Sequence, residues 1–487
     1  MKRIVERFLQ DCQNVGQPVR LRIAGSDIDG SDLCARVENT CAMFDVRPNI
    51  PVCIRASNGL NWIVTYFAAK LSRRVLFVVP AEVEGSAFKG IVDQIGQVLL
   101  MTDSALDWAH CKTNSHDRAE HDGLITYDLN GRRIELPPET EILFTSGTMG
   151  QPKGVVVPRE CYENTALTLV NLLGMTPDHR EILAMPFGHS FGLGRLRAAL
   201  FAGCCIDVYP GLGNTPRMLK SILDGEVHGI GLVPAALEVF RGIARRRASE
   251  LGEKLQYIEI GSSAMSQDTR AWLNENFTKT NIWHHYGMTE ASRSFFVSRG
   301  SLDNPNEADH IGSPARGISY DIYNKDEAGI GELWVSGNNV AGGYLSNPAL
   351  TNEKFVDGGF LTGDLVKEMD GRIVMKGRKD STINVGGQKV SALEIENDVE
   401  NLPGVGGAIC FAAPDKIFGH KPAVLVELDD PKKEDELLLL IQGLAEIGSA
   451  RKITKERIVF VPKMPKTSNG KKARSPAALF QYLGSKS

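Results

Sequence analysis

The sequence predicts an α/β protein built from more than one domain. From about residue 51, short apolar β-type segments alternate with helical segments, a pattern typical of parallel sheets covered by helices on both faces. After about residue 315 this alternation gives way to a series of short β segments. The 487 residues also exceed what a single hydrophobic core usually supports, so several domains are expected.

The first alternation lies between residues 51 and 79. Pro51–Ala56 and Val75–Val79 are predicted strands, and Asn61–Lys70 between them has the apolar periodicity of a helix. Together they predict a βαβ unit, whose crossover should be right-handed. The later segments of the series are Glu141–Thr145, Glu160–Leu173, Ile182–Pro186, Gly192–Phe201, Cys205–Tyr209, Met218–Leu223, Gly229–Val233, Ala235–Leu251, Tyr257–Ile260 and a helix from the N-cap Ser266 to Phe277.

Residues from about 315 to 376 predict a small antiparallel, barrel-like module. Short β segments occur at Ser319–Tyr323 and Glu332–Ser336. Phe360–Glu368 and Arg372–Lys376 are expected to form a hairpin, because Asp370–Gly371 between them is a favoured turn pair.

The polar, glycine-rich segment Gly377–Gly387 predicts a linker, which divides the chain into domains at 1–378 and 379–487. Beyond it, Ser391 and Glu394 have the spacing of a capping box that opens a helix. A separate α+β domain of roughly 100 residues is therefore expected. Its further segments are the strands Ala408–Ala412 and Ala423–Glu427, the helix Lys433–Ile447 and the strand Arg457–Val461.

Composition narrows the class of protein. The formal net charge is -4, which gives no reason to expect nucleic acid or an anionic membrane as a partner. No apolar run approaches the roughly 18 residues of a membrane span, and the first residues lack the apolar core of a signal peptide. The nine scattered cysteines suggest reduced thiols, so a cytoplasmic location is expected.

A glycine-rich loop follows the predicted strand Glu141–Thr145 and reads TSGTMGQPKG. Its glycines allow several backbone N–H groups to point into one concavity, its hydroxyl groups add donors, and its lysine adds a mobile positive charge. The lysine does not directly follow the second glycine, so the common NTPase phosphate-loop pattern is excluded. By itself the loop favours phosphate binding, and a surface turn is the alternative. The groups expected to bind phosphate are Thr145, Ser146, Gly147, Thr148, Gly150 and Lys153.

Four further segments carry polar or charged groups, and several of these groups suit a nucleotide. The segment HYGMTE places an aromatic ring at Tyr286 and a carboxylate at Glu290, which could stack on a base and hold Mg²⁺. Asp364 ends a β segment, where it could accept both hydroxyls of a ribose. Arg378 could add a charge near the nucleotide, and Lys471 lies on a turn-rich segment. Core packing for the tyrosine and solvated positions for the charged groups are the alternatives.

Five motifs follow one another in the order TSGTMGQPKG, YGMTE, TGD, GRKD and PKTSNGK. This ordered set resembles the adenylate-forming superfamily, which includes acyl- and aryl-CoA synthetases, adenylation domains of nonribosomal peptide synthetases, and luciferases. The resemblance covers roughly residues 50 to 475. It implies a large N-terminal domain with two α/β sheet layers and a small β-barrel module, followed by a smaller, mobile α+β C-terminal lid.

The resemblance also implies an AMP-forming acid–thiol ligase that uses ATP and Mg²⁺. A carboxylate would attack the α-phosphate of ATP to give an acyl-adenylate and pyrophosphate, and a thiol would then take the acyl group. Lys471, Thr289 and His189 would act at the reacting atoms, Glu290 would bind Mg²⁺, and Asp380 would be the hinge. The ATP and AMP contacts implied are the loop residues named above with Ser263, Ala264, Tyr286, Gly287, Met288, Thr289, Asp364 and Arg378.

Two positions depart from the family pattern. Met149 stands where a second hydroxyl residue is usual, which puts one phosphate contact in doubt. Asn384 stands where many members carry lysine, which affects the surface of the lid rather than the chemistry.

The resemblance locates an acid pocket at His189, Ser190, Gly261 and Ser262. No acidic residue occurs from Met185 to Leu200 to pair an α-ammonium, so a fatty, aryl or other non-amino acid is expected. Arg195 and Arg197 could meet a second substrate carboxylate, although an exposed helix face is the preferred interpretation.

The resemblance further implies that Gly386 and Gly387 lie along the path of a pantetheine arm. The expected acceptor is therefore CoA or the phosphopantetheine of an acyl-carrier protein, and the oligomeric state is left open. An amide-forming ligase with an amine acceptor and a catalytically silent nucleotide-binding homologue are the alternatives.

Overall fold

The computed structural model describes residues 1–14, 18–103, 118–121, 124–129, 134–145, 152–299, 310–379, 382–385, 388–415, 419–428, 433–444, 453–465, 472, 479 and 482. The chain divides into two compact units. Unit 1 comprises Met1–Tyr320 and Val335–Phe360, and unit 2 comprises Asp321–Trp334 and Leu361–Ser487. The domains expected at 1–378 and 379–487 stay a prediction.

The first part of unit 1 builds a seven-stranded sheet. Its elements are α1 (Lys2–Gln13), β1 (Leu21–Ile23), β2 (Ser26–Asp27), α2 (Gly30–Asp45), β3 (Val52–Arg55), α3 (Leu60–Leu71), β4 (Leu76–Val78), α4 (Gly85–Ile95), β5 (Val98–Thr102), β6 (Arg118–His121), β7 (Leu124–Leu129), β8 (Glu141–Thr145) and β9 (Lys153–Val157). The strand order is β6-β7-β5-β3-β4-β8-β9. The predicted βαβ unit is confirmed, because β3 and β4 are parallel and joined by α3.

The next part of unit 1 builds a nine-stranded sheet. Its elements are α5 (Arg159–Leu173), β10 (Arg180–Leu183), α6 (Ser190–Ala202), β11 (Cys205–Val208), α7 (Thr215–Leu223), β12 (Gly229–Leu232), α8 (Pro234–Ala244), α9 (Ala248–Lys254), β13 (Tyr257–Gly261), α10 (Gln267–Asn276), β14 (Asn281–Met288), β15 (Ala291–Ser298) and β16 (Ser313–Pro314). The strand order is β16-β15-β14-β13-β12-β10-β11-β1-β2, so β1 and β2 extend a sheet built mainly from later residues.

Two local expectations for this sheet need comment. Ser266 caps α10 as predicted, because its side chain accepts a hydrogen bond from the backbone N–H of Thr269. The single helix expected over Ala235–Leu251 is wrong, since a 3₁₀ turn at Arg245–Arg247 separates α8 from α9. After this turn Leu251 is fully buried in the core.

Both large sheets are parallel at the centre and antiparallel at one or both margins. Strands β5, β3, β4 and β8 are parallel, whereas β7 and β9 pair antiparallel with their neighbours. In the second sheet, β14 and β15 form an antiparallel hairpin. The expectation of parallel sheets therefore holds for the central strands and fails at the margins, where β7, β9 and β15 pair antiparallel with their neighbours.

The region predicted to be barrel-like forms a separate five-stranded sheet. Its elements are β17 (Ile318–Tyr323), β18 (Ile330–Gly337), α11 (Pro348–Lys354), β19 (Phe355–Val356), β20 (Gly359–Met369) and β21 (Arg372–Arg378). The predicted hairpin is confirmed, because β20 and β21 are antiparallel partners. Asp370 and Gly371 both have positive φ angles, of 51° and 72°, as a two-residue primed turn requires.

The rest of unit 2 is a small α+β domain, as expected. Its elements are β22 (Thr382–Val385), β23 (Gln388–Ser391), α12 (Ala392–Glu400), β24 (Val405–Asp415), β25 (Gly419–Leu428), α13 (Glu434–Leu444) and β26 (Ile458–Val461). The predicted N-cap is confirmed, because the Ser391 hydroxyl accepts a 3.3 Å hydrogen bond from the backbone N–H of Glu394. Val399, Val424 and Ile441 lie in its core.

A buried ion cluster joins the two large sheets. The Glu141 carboxylate, at the start of β8, lies 2.7 Å from the Lys70 ammonium on α3, and neither side chain is exposed. Its second oxygen pairs with Arg197 of α6, which packs on the nine-stranded sheet. The Tyr66 hydroxyl donates a further hydrogen bond to Glu141 at 3.1 Å. Burial and the nearby charge of Arg197 lower the pKa of Lys70. The Glu141 carboxylate is the negative group that both cations contact.

The exposed helix face expected for Arg195 and Arg197 is wrong. The two side chains are 2% and 5% exposed, because α6 has structure on both sides. Arg195 points to the nine-stranded sheet, where it pairs with Glu181 and Glu259. Arg197 points the other way, to Glu141. Both guanidinium groups therefore have internal carboxylate partners.

We expect Glu141→Gln to destabilise the protein by about 3–5 kcal/mol, because Lys70 and Arg197 would stay buried without their carboxylate. The midpoint of urea unfolding, followed by tryptophan fluorescence, measures the effect. Glu250→Gln removes a carboxylate from an exposed pair with Arg247 and should leave the midpoint almost unchanged. Equal midpoints for Glu141→Gln and the wild type would contradict the role of the cluster.

Candidate functional site

The ends of the predicted phosphate loop are held by the β8–β9 hairpin. Thr145 and Lys153 are opposite each other in its ladder, so the loop between them starts and ends at one place. The Lys153 ammonium lies 5.7 Å from the centroid of the Tyr344 ring. Ser146, Gly147, Thr148, Met149 and Gly150 lie outside the described residues, and their phosphate contacts stay predictions.

A bridging segment, Val340–Leu345, connects this hairpin to the β14–β15 hairpin of the other sheet. Its backbone forms hydrogen bonds of 2.7–2.9 Å with Gly154 and Val156 of β9. It also donates a 2.8 Å hydrogen bond to the carbonyl of Glu290 and pairs with Ala291. The two hairpins come from different sheets, and this segment fixes one against the other.

The β14–β15 hairpin turns at Thr289 and Glu290, two of the predicted site residues. The Glu290 carboxylate accepts a 2.8 Å hydrogen bond from the Tyr344 hydroxyl. The Thr289 hydroxyl lies 3.4 Å from the hydroxyl of Ser190 at the start of α6. The turn therefore contacts the segment beside the phosphate loop on one side and the predicted acid pocket on the other.

Two other residues of the same motif have defined positions. A side chain at Gly287 would approach the backbone nitrogen of Arg293 to 2.3 Å, so only glycine fits beside the second strand. The Tyr286 ring packs edge-on against Phe295, with ring centroids 5.9 Å apart. The ladder is irregular between Tyr286 and Met288, which matches a β-bulge at this end of the hairpin. Adenine contacts for these residues stay predictions.

The predicted acid-pocket segment is anchored from the seven-stranded sheet. The Asn58 amide donates to the Met185 carbonyl at 2.9 Å and accepts from the Phe187 N–H at 2.8 Å. A side chain at Gly188 would come within 2.5 Å of the Cα atom of Pro80. These contacts hold the segment close to the other sheet, and His189 occupies the N-cap position of α6 without a side-chain capping bond.

His189 has an acidic neighbour that the sequence window did not contain. The Glu82 carboxylate lies 3.0 Å from the Nε2 atom of His189. Glu82 lies 107 residues away in sequence, so the absence of acidic residues from Met185 to Leu200 did not settle the charge around His189. Both side chains are partly exposed, at 35% and 26%.

Glu259 of β13 is the centre of a second buried charge cluster. Arg293 donates to its two oxygens at 2.7 and 3.3 Å, Arg195 donates at 3.2 Å, and the Nδ1 atom of His285 lies at 2.8 Å. Burial by itself raises the pKa of Glu259, but the charges of Arg293, His285 and Arg195 outweigh it and hold the pKa well below its usual range.

This cluster also orients the start of α6. The Arg293 guanidinium donates to the carbonyl oxygens of Ser190 at 3.4 Å and Phe191 at 3.1 Å. A Cβ atom at Gly194 would lie 2.2 Å from the same guanidinium. Sequence reasoning missed this role of Arg293, although its position three residues after the YGMTE motif was a possible signal.

The residues predicted for the acid pocket and the AMP contacts at positions 261–264 begin at the last residue of β13. A side chain at Gly261 would come within 2.1 Å of the His285 ring, so the strand needs glycine there. Ser262 has a φ of +83°, a strained value for a residue with a side chain, which is often found at functional sites. The Ser263 carbonyl lies 2.9 Å from Nε2 of His284. Binding roles for Ser262, Ser263 and Ala264 stay predictions.

In unit 2, the structure brings Asp364 and Arg378 together. They are opposite residues of β20 and β21, and the guanidinium donates to the buried carboxylate at 2.7 Å. Sequence reasoning missed Glu332, whose buried carboxylate accepts from the N–H of Gly363 at 3.1 Å and from Lys379 at 2.8 Å. These contacts fix the backbone beside Asp364.

The remaining predicted site residues lie outside the described residues. They are the hinge residue Asp380, the pantetheine-path residues Gly386 and Gly387, and Lys471. Their roles stay predictions. Within the described part of the chain, no helix is both long and apolar enough to cross a membrane.

Two family models match the chain. The AMP-binding enzyme model matches residues 30–345, and the AMP-binding enzyme C-terminal domain model matches residues 394–471. The first match covers more than half of the sequence, so the chain belongs to the AMP-binding enzyme family. This confirms the resemblance to the adenylate-forming superfamily.

Among curated relatives, a 2-succinylbenzoate–CoA ligase of Staphylococcus aureus strain MSSA476 is 28% identical over 338 residues. The alignment spans 69% of this chain and 65% of that relative. The chain thus covers slightly less than two thirds of the relative's length.

Solved structures of the family have the same fold. The o-succinylbenzoate CoA synthetase of Bacillus subtilis, in complex with its acyl-adenylate intermediate, aligns with a TM-score of 0.79 at 20% identity, over 96% of this chain and 97% of its own. ATP-bound MatB from Rhodopseudomonas palustris aligns with a TM-score of 0.74 at 21% identity, over 98% of each chain. These identities support the fold, and the predicted α/β fold class is confirmed.

We expect His284 to make stability depend on pH. Burial lowers the pKa of His284 to about 4. The hydrogen bond with the Ser263 carbonyl raises this pKa, whereas the charges of His285, Arg270 and His310 lower it further. Below the ordinary histidine pKa of about 6.5 the unfolded chain then binds more protons, so stability falls as pH falls from 6.5 towards 4. Above 6.5 the contribution is constant.

The measurement is the urea midpoint of wild type and His284→Gln between pH 5 and pH 7. The variant should show the shallower dependence on pH. His420→Gln removes an exposed histidine and should leave the wild-type slope intact. Parallel slopes for His284→Gln and the wild type would rule out this role.

Proposed function

We propose that this protein is an AMP-forming acid–thiol ligase. It activates a fatty, aryl or other non-amino carboxylic acid as an acyl-adenylate with release of pyrophosphate, and transfers the acyl group to a thiol. The observation that carries the proposal is the arrangement around the bridging segment. Lys153 and Glu290, from hairpins of two different sheets, both contact Tyr344, the first at its ring and the second at its hydroxyl. A cation and a carboxylate that contact the same side chain suit a polyphosphate and its metal ion.

The names of related proteins support the same activity. The relative described above is a 2-succinylbenzoate–CoA ligase, and the o-succinylbenzoate CoA synthetase of Bacillus subtilis was solved with an acyl-adenylate. The same Bacillus subtilis enzyme was also solved with ATP and a magnesium ion. A fatty acyl CoA synthetase of Mycobacterium tuberculosis has a TM-score of 0.70 to this chain at 19% identity. We therefore propose ATP, Mg²⁺ and CoA as substrates and cofactor.

In the first half-reaction a substrate carboxylate oxygen attacks the α-phosphorus of ATP. The new P–O bond forms as the bond to the β-phosphate breaks, and pyrophosphate leaves with its electron pair. Lys153 and the hydroxyl groups of its loop hold the β- and γ-phosphates, and Thr289 contacts the α-phosphate. Lys471 is proposed to offset the repulsion between the two anions.

Glu290 would hold Mg²⁺. This ion is commonly bound by one or two carboxylates together with substrate phosphates, so a single glutamate is a fitting donor set. When bound, the ion neutralises charge that develops on the phosphates. Tyr286 is proposed to flank the adenine with Gly287, Met288, Ser263 and Ala264, and Asp364 with Arg378 is proposed to bind the ribose.

The acid pocket is proposed to include His189, Ser190, Gly261 and Ser262. Arg195 and Arg197 have buried glutamate partners, which argues against either as the receptor of a second substrate carboxylate. Glu82 beside His189 adds negative charge near the pocket. Gly386 and Gly387 favour a pantetheine arm, so the acceptor is CoA or the phosphopantetheine of a carrier protein, and Asp380 is the proposed hinge between the two half-reactions.

We also propose a cytoplasmic location. All eight cysteines that the structure describes are free thiols, and this state suits a reducing compartment.

The function is tested by hydroxylamine-trapped adenylation across a panel of fatty, aryl, dicarboxylic and amino acids. We expect ATP-dependent hydroxamate formation with a non-amino acid, and a thioester when CoA or a phosphopantetheinylated carrier protein replaces hydroxylamine. An amide with an added amine, and no thioester, would favour the amide-forming alternative. Absence of pyrophosphate release with every acid would overturn the proposal.

Lys471→Ala should lower acid-dependent pyrophosphate exchange by about 10²–10³-fold, because a charge that stabilises the transition state is lost. Thioester formation from synthetic acyl-adenylate and CoA should continue, since that step needs no charge between the carboxylate and ATP. Lys472→Ala is the neighbouring control; Lys472 pairs with Glu396 and Glu400, and its loss should spare the exchange reaction. Equal losses in both half-reactions of Lys471→Ala would contradict the assignment.

A further inference from the structure

Tyr344 lies between the two charged groups that the proposed function assigns to the phosphates and the metal ion. Its hydroxyl donates to Oε1 of Glu290 at 2.8 Å. Its ring centroid lies 5.7 Å from the Nζ atom of Lys153, within the range of a cation–π contact. The side chain is only 9% exposed, so both contacts form in a largely dry environment.

The backbone around Tyr344 leaves the ring little freedom. Tyr344 pairs with Val155 of β9, and its N–H donates to the Thr351 hydroxyl at 2.9 Å. The ring also packs edge-on against Phe355, with centroids 5.5 Å apart. Its hydroxyl is therefore held at one place relative to both hairpins.

The chemistry of the contact fits a donor. A phenol O–H is a hydrogen-bond donor and an ionised carboxylate oxygen is an acceptor, so the 2.8 Å contact runs from Tyr344 to Glu290. Because Tyr344 donates to Oε1 of Glu290, Oε2 is the oxygen left to serve a divalent cation. A residue that hydrogen-bonds to a metal-binding carboxylate, without contacting the metal itself, commonly sets the orientation of that carboxylate.

We propose that Tyr344 is a positioning residue for the adenylation step, which orients the metal-binding carboxylate of Glu290 through its hydroxyl and supports the phosphate-binding ammonium of Lys153 with its ring. The inference rests on the proposed function. It adds a residue outside the five motifs and gives the bridging segment a role. Through Tyr344, the carboxylate of Glu290 and the ammonium of Lys153 are held against one side chain.

Tyr344→Phe separates this role from packing, because it removes the hydroxyl and keeps the ring. We expect the Mg²⁺ concentration for half-maximal acid-dependent pyrophosphate exchange to rise about 10–100-fold, the usual effect of removing a residue that hydrogen-bonds to a metal ligand. The KM for the carboxylic acid should change little, and high Mg²⁺ should restore much of the rate. An unchanged Mg²⁺ dependence, or a loss of rate that Mg²⁺ does not restore, would overturn the proposal.

A binding measurement gives a second readout that needs no turnover. Mn²⁺ added to protein and ATP without acid is followed by the electron paramagnetic resonance signal of the free ion. Tyr344→Phe should weaken Mn²⁺ binding by a similar factor, and Glu290→Gln should weaken it at least as much. The double variant should bind like Glu290→Gln, because Tyr344 acts through that carboxylate. Additive losses would contradict this coupling.

Tyr209→Phe is the matched control. Tyr209 is a buried tyrosine of unit 1 whose hydroxyl donates to Asp207 at 3.1 Å, so it loses the same kind of bond away from both hairpins. Its Mg²⁺ and Mn²⁺ dependence should equal that of wild type. A wild-type protein that binds Mn²⁺ with ATP but adenylates no acid would refute the proposed function alone, whereas an active wild type matched by Tyr344→Phe in both readouts would refute this inference alone.

Discussion

The carboxylate of Glu259 is the group on which the candidate site in unit 1 depends. It is fully buried, and such a charge is tolerated only with close partners of opposite sign. Arg195, Arg293 and His285 supply them from one helix and two strands. Arg293 then extends the effect by donating to carbonyls at the start of α6. One buried charge therefore links the sheet core to the place where the acid pocket is proposed.

The bridging segment fixes the distance between two hairpins that belong to different sheets. The strands that flank the predicted phosphate loop belong to one sheet and the Thr289–Glu290 turn to the other. Two packed sheets alone give no fixed distance between such connections. Backbone hydrogen bonds from Val340–Leu345 to both hairpins supply that distance. Farther inside, Glu141 joins the same two layers through Lys70 and Arg197. The layers are thus connected both beside the hairpin turns and in the interior, which suits the proposed function, in which two anions are brought together.

Sequence reasoning succeeded where a feature is local. The β3–α3–β4 unit, the caps at Ser266 and Ser391 and the Asp370–Gly371 turn were predicted because hydrophobic period, capping and turn chemistry act over a few residues. It failed for charges whose partners are distant in sequence. Arg195 and Arg197 are expected on an exposed face because arginine usually lies at the surface. The structure covers α6 on both sides, and the sequence of the helix does not indicate this. Glu82 could not be assigned to His189 from the sequence, because the two residues are 107 positions apart.

The sequence by itself determined the family, the fold class and the five motifs, because each depends on residue types at short spacing and in a given order. Only the tertiary structure decided which groups meet. It paired Asp364 with Arg378, set Glu82 against His189, surrounded Glu259 with cations and put Tyr344 between Lys153 and Glu290. The physical reason is that a buried charge pairs with a group that is close to it in space. The chain topology sets that distance, whatever the separation of the two residues in sequence.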